Sequence, residues 1–137
     1  MYKKEKNKIK YLLLKRKLHW KGWEFVKGGK EKNETDKQAI LRELREETGL
    51  KSIKITSYKL KGKYNYNKKL ADRKNYDGQT FKLYSAEVKK GKVKIDKLEH
   101  ENYKWVTFSS AIKLLTWQNQ RKCLRVADEK IKEKLLR

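Results

Sequence analysis

The sequence predicts an α/β protein, and three observations predict it. Short apolar runs with strand character recur along the chain. A helical pattern with start and stop signals interrupts them after the second run, and two more helical patterns close the chain. No repeat, linker or low-complexity stretch divides the 137 residues, so residues 1–137 read as one domain.

The elements follow in order. "KIKYLLLKRK" (8–17) reads as a buried strand, short, apolar and flanked by lysine. "WEFV" (23–26) is a second strand, broken by Gly28-Gly29. A helix starts near Thr35, an N-cap whose capping box is completed by Gln38. Ala39, Ile40, Leu41 and Leu44 are its packing positions, and Gly49 ends it. Residues 52–66 are β-rich, with Ile53, Ile55 and Ser57 on one face. Residues 67–78 are polar and turn-like, 80–91 hold a strand and 102–108 another. Ser109 or Ser110 caps a short helix, and a last helix from about Asn119 carries the stripe Leu124, Ala127, Ile131, Leu135. With no proline, every turn relies on Gly, Asn, Asp and Ser.

Composition narrows the class. Aromatics at 11% are too frequent for a disordered chain. No apolar run is long enough to cross a bilayer, and no secretory leader is visible, so no membrane partner is expected. A lone Cys123 makes no internal disulfide and no cysteine-based zinc site. The expectation is a cytoplasmic protein, monomer or homodimer. The net charge of +22 suits polyanions such as nucleotides or RNA. It equally suits a surface on which lysine is the default residue, and charge alone does not choose between a nucleotide and RNA.

Against this basic background, "GGKEKNETDKQAILRELREETGL" (28–50) holds six of the 17 acids. Glu43, Glu46 and Glu47 stand at i, i+3 and i+4, on one helical face. Three carboxylates there repel one another unless a cation sits between them. A hard divalent ion takes oxygen ligands and leaves room for phosphate. The alternative is an exposed acidic face partnered by Arg42 and Arg45. Gly28-Gly29 permits close backbone approach to a ligand and favours the metal reading.

The same stretch resembles a family signature. Gly28, five residues, Glu34, seven residues, then Arg42-Glu43-Leu44-Arg45-Glu46-Glu47-Thr48-Gly49-Leu50 fills every fixed position of the Nudix box. The resemblance implies a mixed β-sheet in an α/β/α sandwich. It also implies metal-dependent hydrolysis of a phosphoanhydride in a nucleoside diphosphate linked to another group. On that resemblance Gly28, Glu43, Glu46 and Glu47 bind Mg²⁺ or Mn²⁺, with one of the three glutamates as base for the attacking water. Arg42 orients the glutamates and Glu34 supports the box.

Outside the box, "WEFVKGG" is similar to the Trp-x-x-Pro-Lys-Gly segment of asymmetrical bis(5′-nucleosyl)-tetraphosphatases, with Val26 in place of proline. Residues 99–129 resemble the end of the same enzymes. The best match is therefore hydrolysis of diadenosine tetraphosphate to ATP and AMP. Lys27 and Gly29 would contact phosphate, and His100 would contact a phosphate or cap the loop. Glu99, with Glu101 nearby, would add a metal or base function. Trp23, Tyr76, Phe81 and Tyr84 would line the nucleoside site, with Tyr64, Tyr66 and Trp20 as further candidates. Leu83 falls where those enzymes carry an aromatic. Trp105 and Trp117 read as core. The alternative substrate is 5′-triphosphorylated RNA, since "YDGQTFKLYSAEV" (76–88) resembles the Tyr-x-Gly-Gln segment of RNA pyrophosphohydrolases. A non-catalytic polyphosphate- or RNA-binding module is a third reading, opposed by the intact glutamates. Two departures stand out. The first strand of the family is short or missing, and Asn33 replaces a common glycine, a position where asparagine tolerates left-handed backbone.

Overall fold

The computed structural model describes residues 1–65, 78–89 and 91–135, with the backbone alone for 61–65 and 78–81. Nine elements run β1 (Tyr2–Glu5), β2 (Lys8–Arg16), β3 (Gly22–Glu24), α1 (Asp36–Thr48), β4 (Ser52–Asn65), β5 (Gly78–Val88), β6 (His100–Val106), α2 (Phe108–Leu114) and α3 (Gln118–Leu135). The expected turn at 67–78 lies almost wholly outside the described residues.

The strands form one mixed sheet in the order β3-β2-β1-β5-β4, with β6 on β2. Leu14 pairs with Glu24 of β3 and with Tyr103 of β6, so these two strands flank β2 on opposite edges. β1 meets β5 in parallel at Tyr2 and Glu87, and the other pairings are antiparallel. The N-terminal strand, expected to be short or missing, is the four-residue β1.

β2 explains the layering. Tyr11 to Leu14 are all buried, which requires cover on both sheet faces. Side chains alternate between faces. Tyr11 and Leu13 pack with Ala111 and Leu115 around α2, and with Leu124, Ala127 and Ile131 of α3. Leu12 and Leu14 pack on the opposite face with Leu50, just after α1, and with Val88 and Val93. Fully burying each of these leucines contributes about 2 kcal/mol. Tyr11 also donates its hydroxyl to buried Asp128 at 2.6 Å, tying α3 to the central strand. The result is an α/β/α sandwich with β2 at its centre. No helix among the described residues is long and apolar enough to cross a membrane.

Local chemistry fixes α1. Thr35 Oγ1 accepts from the Gln38 amide at 3.1 Å, and Gln38 Oε1 accepts from the Thr35 amide at 2.9 Å. Gly49 takes the left-handed conformation at φ 72° and donates to the Arg45 carbonyl. Thr35→Ala therefore costs about 1 kcal/mol, measurable by denaturant unfolding. Asn33 takes φ 67°, as its tolerance for that region allows.

Several positions differ from expectation. β3 stops at Glu24, and Val26 turns onto the Leu12 and Leu14 core instead of continuing the strand. α2 is capped by Thr107, whose side chain reaches the Ser110 amide, rather than by Ser109 or Ser110. Leu41, Ile53 and Leu135 are exposed although apolar. Trp117 is 43% exposed rather than core. Its ring stands edge-on to Trp20 at 5.1 Å, because the α2–α3 junction lies at the surface beside the β2–β3 loop.

Candidate functional site

The site is built where three segments converge: the loop from β3 to α1, α1 itself, and the turn before β6. Arg42 organises the first two. Its Nε and Nη2 donate to the Glu34 carboxylate at 2.7 and 2.9 Å. Nη2 also reaches the Gly29 carbonyl at 2.8 Å. Nη1 reaches Glu43 at 2.7 Å and Glu46 at 3.3 Å. One planar guanidinium thus clamps the glycine loop onto the helix. The Arg42 bonds, and then the Glu31 amide, hold Glu34 down at about pKa 2. Glu34 and Glu43 in turn push the guanidinium pKa further up.

Gly28 lies against Glu43. A Cβ there would overlap the Glu43 carboxyl group, whereas one on Gly29 would meet nothing within 4 Å. Glu43 is half-buried, and burial raises its pKa against the opposing pull of Arg42. Glu47 is more extreme. It is 7% exposed, and its Oε2 has no hydrogen-bond partner. Burial, then the charges of Glu43, Glu99 and Glu24, lift it from 4.5 to about 8. Glu99 is half-buried, and its backbone carbonyl accepts from the Lys17 and Leu18 amides. Glu101, the alternative to it, pairs outward with Lys15 at 3.6 Å.

The remaining candidates divide. Lys27 stands beside the helix with its Nζ 3.4 Å from Glu24. Tyr84 is pinned rather than free: its hydroxyl donates to Asp36 at 2.7 Å, and Lys82 and Lys30 reach the same carboxylate. The Tyr84 bond, then Lys82, hold Asp36 down at about pKa 2. Trp23 packs on the Tyr11 and Leu13 core, with Lys104 above its ring at 5.1 Å. Tyr66, Tyr76 and the side chains of Tyr64 and Phe81 lie outside what is described. His100, expected on a phosphate, is 1% exposed, and its Nε2 meets Glu24 Oε2 at 2.9 Å. The register of β6 on β2 sets it opposite Arg16, at the start of β6.

Glu24 itself escaped the sequence reading. It is fully buried and joins Arg16, Lys27 and His100. The signal was an acid between two aromatics in "WEF", a charge that period-2 alternation sends opposite to its neighbours.

A family model described as the NUDIX domain matches residues 2–126. The chain belongs to the Nudix family. A relative from Nitratiruptor sp., an RNA pyrophosphohydrolase, is 33% identical over 115 residues, which span 80% of this chain and 74% of that protein. A Campylobacter jejuni RNA pyrophosphohydrolase is 29% identical over 98 residues, 68% of this chain and 63% of its own length. The fold also matches a Caenorhabditis elegans Ap4A hydrolase in a binary complex. There the TM-score is 0.76 at 24% identity, covering 96% of this chain and 93% of the other.

Nudix hydrolases generally use a divalent metal, and the residues here fit one. Among the described residues no three acids already stand in ligand geometry. Arg42 holds Glu43 and Glu46 instead. The fit lies in Glu47: a buried carboxylate oxygen without a partner, crowded by other acids, is what a hard cation relieves. The Gly28 cradle keeps Glu43 against the same loop.

A pH dependence follows for this Nudix hydrolase without metal. The folded chain keeps a proton on Glu47 that the unfolded chain has lost, so rising pH between 4.5 and about 8 costs stability. The melting temperature should fall across that window in a chelator. Added Mg²⁺ or Mn²⁺ should raise it more at pH 8 than at pH 5.5, as thermal unfolding reads directly.

Proposed function

We propose that this Nudix hydrolase cleaves the 5′-terminal phosphoanhydride of triphosphorylated RNA, with Mg²⁺ or Mn²⁺. The observation that carries the reading is the 33% identity to an RNA pyrophosphohydrolase over 115 residues. The charge of +22 supports it, because lysine contacts to successive phosphates supply affinity along an RNA chain. Glu43, Glu46, Glu47 and the Gly28 carbonyl would hold the metal. When bound, the ion neutralises phosphate charge and lowers the pKa of a coordinated water. Arg42 holds the glutamates in register. Lys27 contacts a phosphate of the substrate, and Glu99 adds its charge to the same acidic centre. Lys30 and Lys82, gathered at Asp36, extend the cationic rim.

Diadenosine tetraphosphate is the second reading, carried by the resemblance at 99–129. Incubation with each substrate, followed by product analysis, separates the two. The RNA reading expects pyrophosphate or phosphate release from RNA with a higher kcat/KM, falling steeply with salt. Faster formation of ATP and AMP from the dinucleotide would reverse the order.

A further inference from the structure

Glu24 lies outside the proposed metal ligands, yet it touches the segments on both sides of them. Its Oε2 is engaged twice, by His100 Nε2 at 2.9 Å and Arg16 Nη1 at 3.2 Å. Both partners are anchored. His100 is buried at the start of β6, and Arg16 Nε donates to the Leu18 carbonyl at 2.9 Å. Oε1 is different. It is buried, has no hydrogen bond, and faces Lys27 Nζ at 3.4 Å. Lys27 is 44% exposed at its side chain and directly precedes Gly28.

A buried carboxylate needs hydrogen-bonding or cationic partners, and two of the three here are anchored. The third is a half-exposed ammonium next to Gly28. We infer that Glu24 is a positioning residue for phosphoanhydride cleavage. Locked by His100 and Arg16, it holds Lys27 back so that the ammonium meets the polyphosphate in one register. The inference rests on Lys27 being a phosphate contact.

The chemistry distinguishes this from simple structural support. Glu24→Gln keeps an oxygen that accepts from His100 but removes the charge that restrains Lys27. Lys27 then pairs with the polyphosphate alone, which binds more tightly and less productively. With triphosphorylated RNA, E24Q should lower kcat about tenfold and lower KM about threefold, the split expected when ground-state restraint is lost. In the K27M background the same change should have less than about a twofold effect on either constant, because the two residues act as a unit. A purely structural Glu24 would instead raise KM and act independently of Lys27, and either result overturns the inference.

Binding of inorganic tripolyphosphate without metal, by calorimetry, reads the coupling apart from turnover. E24Q should tighten it, and K27M should weaken it and abolish the E24Q effect. If K27M leaves the affinity unchanged, the phosphate role of Lys27 falls and the inference with it. If K27M weakens binding but E24Q does not tighten it, the role of Glu24 alone is wrong. His100→Gln keeps a side-chain N–H donor and the Glu24 charge but loosens the lock from β6, so it should lower kcat without the fall in KM expected for E24Q. Should E24Q not fold, that variant decides, and unchanged constants for it would overturn the inference.

Discussion

Glu47→Gln lowers turnover about 10³-fold and yet raises the melting temperature of the metal-free protein at pH 8 by about 4 °C. The two effects share one cause. Glu47 is buried with an unpartnered oxygen and with acids around it, so its charge is costly until a cation arrives. A neutral amide removes that cost. It would also remove one of the proposed metal ligands, and with it the charge stabilisation that phosphoanhydride cleavage needs. The stabilisation should vanish below pH 5, where Glu47 in the folded chain is already protonated. Added Mn²⁺ should raise the melting temperature of the wild type and leave the variant nearly unchanged. Thermal unfolding in chelator and in metal, beside steady-state rates, checks all three. A variant as active as the wild type would remove Glu47 from the site. One that is less stable in chelator would contradict the crowding argument.

The adjacent glycines give the second large effect. Gly28→Ala should cost about 10²-fold in kcat/KM, since displacing a catalytic group by about 1 Å has that consequence. The added methyl would overlap the Glu43 carboxyl group, which cannot retreat without leaving Arg42. Gly29→Ala meets open space and should stay within about threefold of the wild type. Rates for the two variants at saturating metal make the comparison. Equal losses would mean that loop flexibility, rather than room for Glu43, sets the requirement.

What could be read in advance tracks how local its cause is. Thr35, Gln38 and Gly49 mark α1 through contacts within a few residues, and they fold as the sequence indicated. The buried run Tyr11–Leu14 marked the central strand for the same reason. The cap of α2 fell at Thr107, two residues before Ser109, because the two are equivalent to a sequence pattern and only the backbone decides. β1 had no signal, since Tyr2 is its one buried residue. The Glu24–His100 pair spans 76 positions and depends on the registers of β3 and β6 against β2. No spacing in the sequence encodes that meeting. His100 looked like a phosphate contact through the resemblance at 99–129, yet it is buried against Glu24. Trp117 is apolar by type but sits at a helix junction, where burial depends on which loop packs beside it.

The proposed chemistry stands or falls on whether the α1 carboxylates form a divalent-cation site that drives phosphoanhydride cleavage. The most direct measurement is release of pyrophosphate or phosphate from 5′-triphosphorylated RNA while Mg²⁺ is titrated into chelator-treated protein. The expected result is no release in chelator, saturable activation by Mg²⁺, and no activation for Glu46→Gln. Release that persists undiminished in chelator, or RNA that binds but stays intact at every Mg²⁺ concentration, would contradict it.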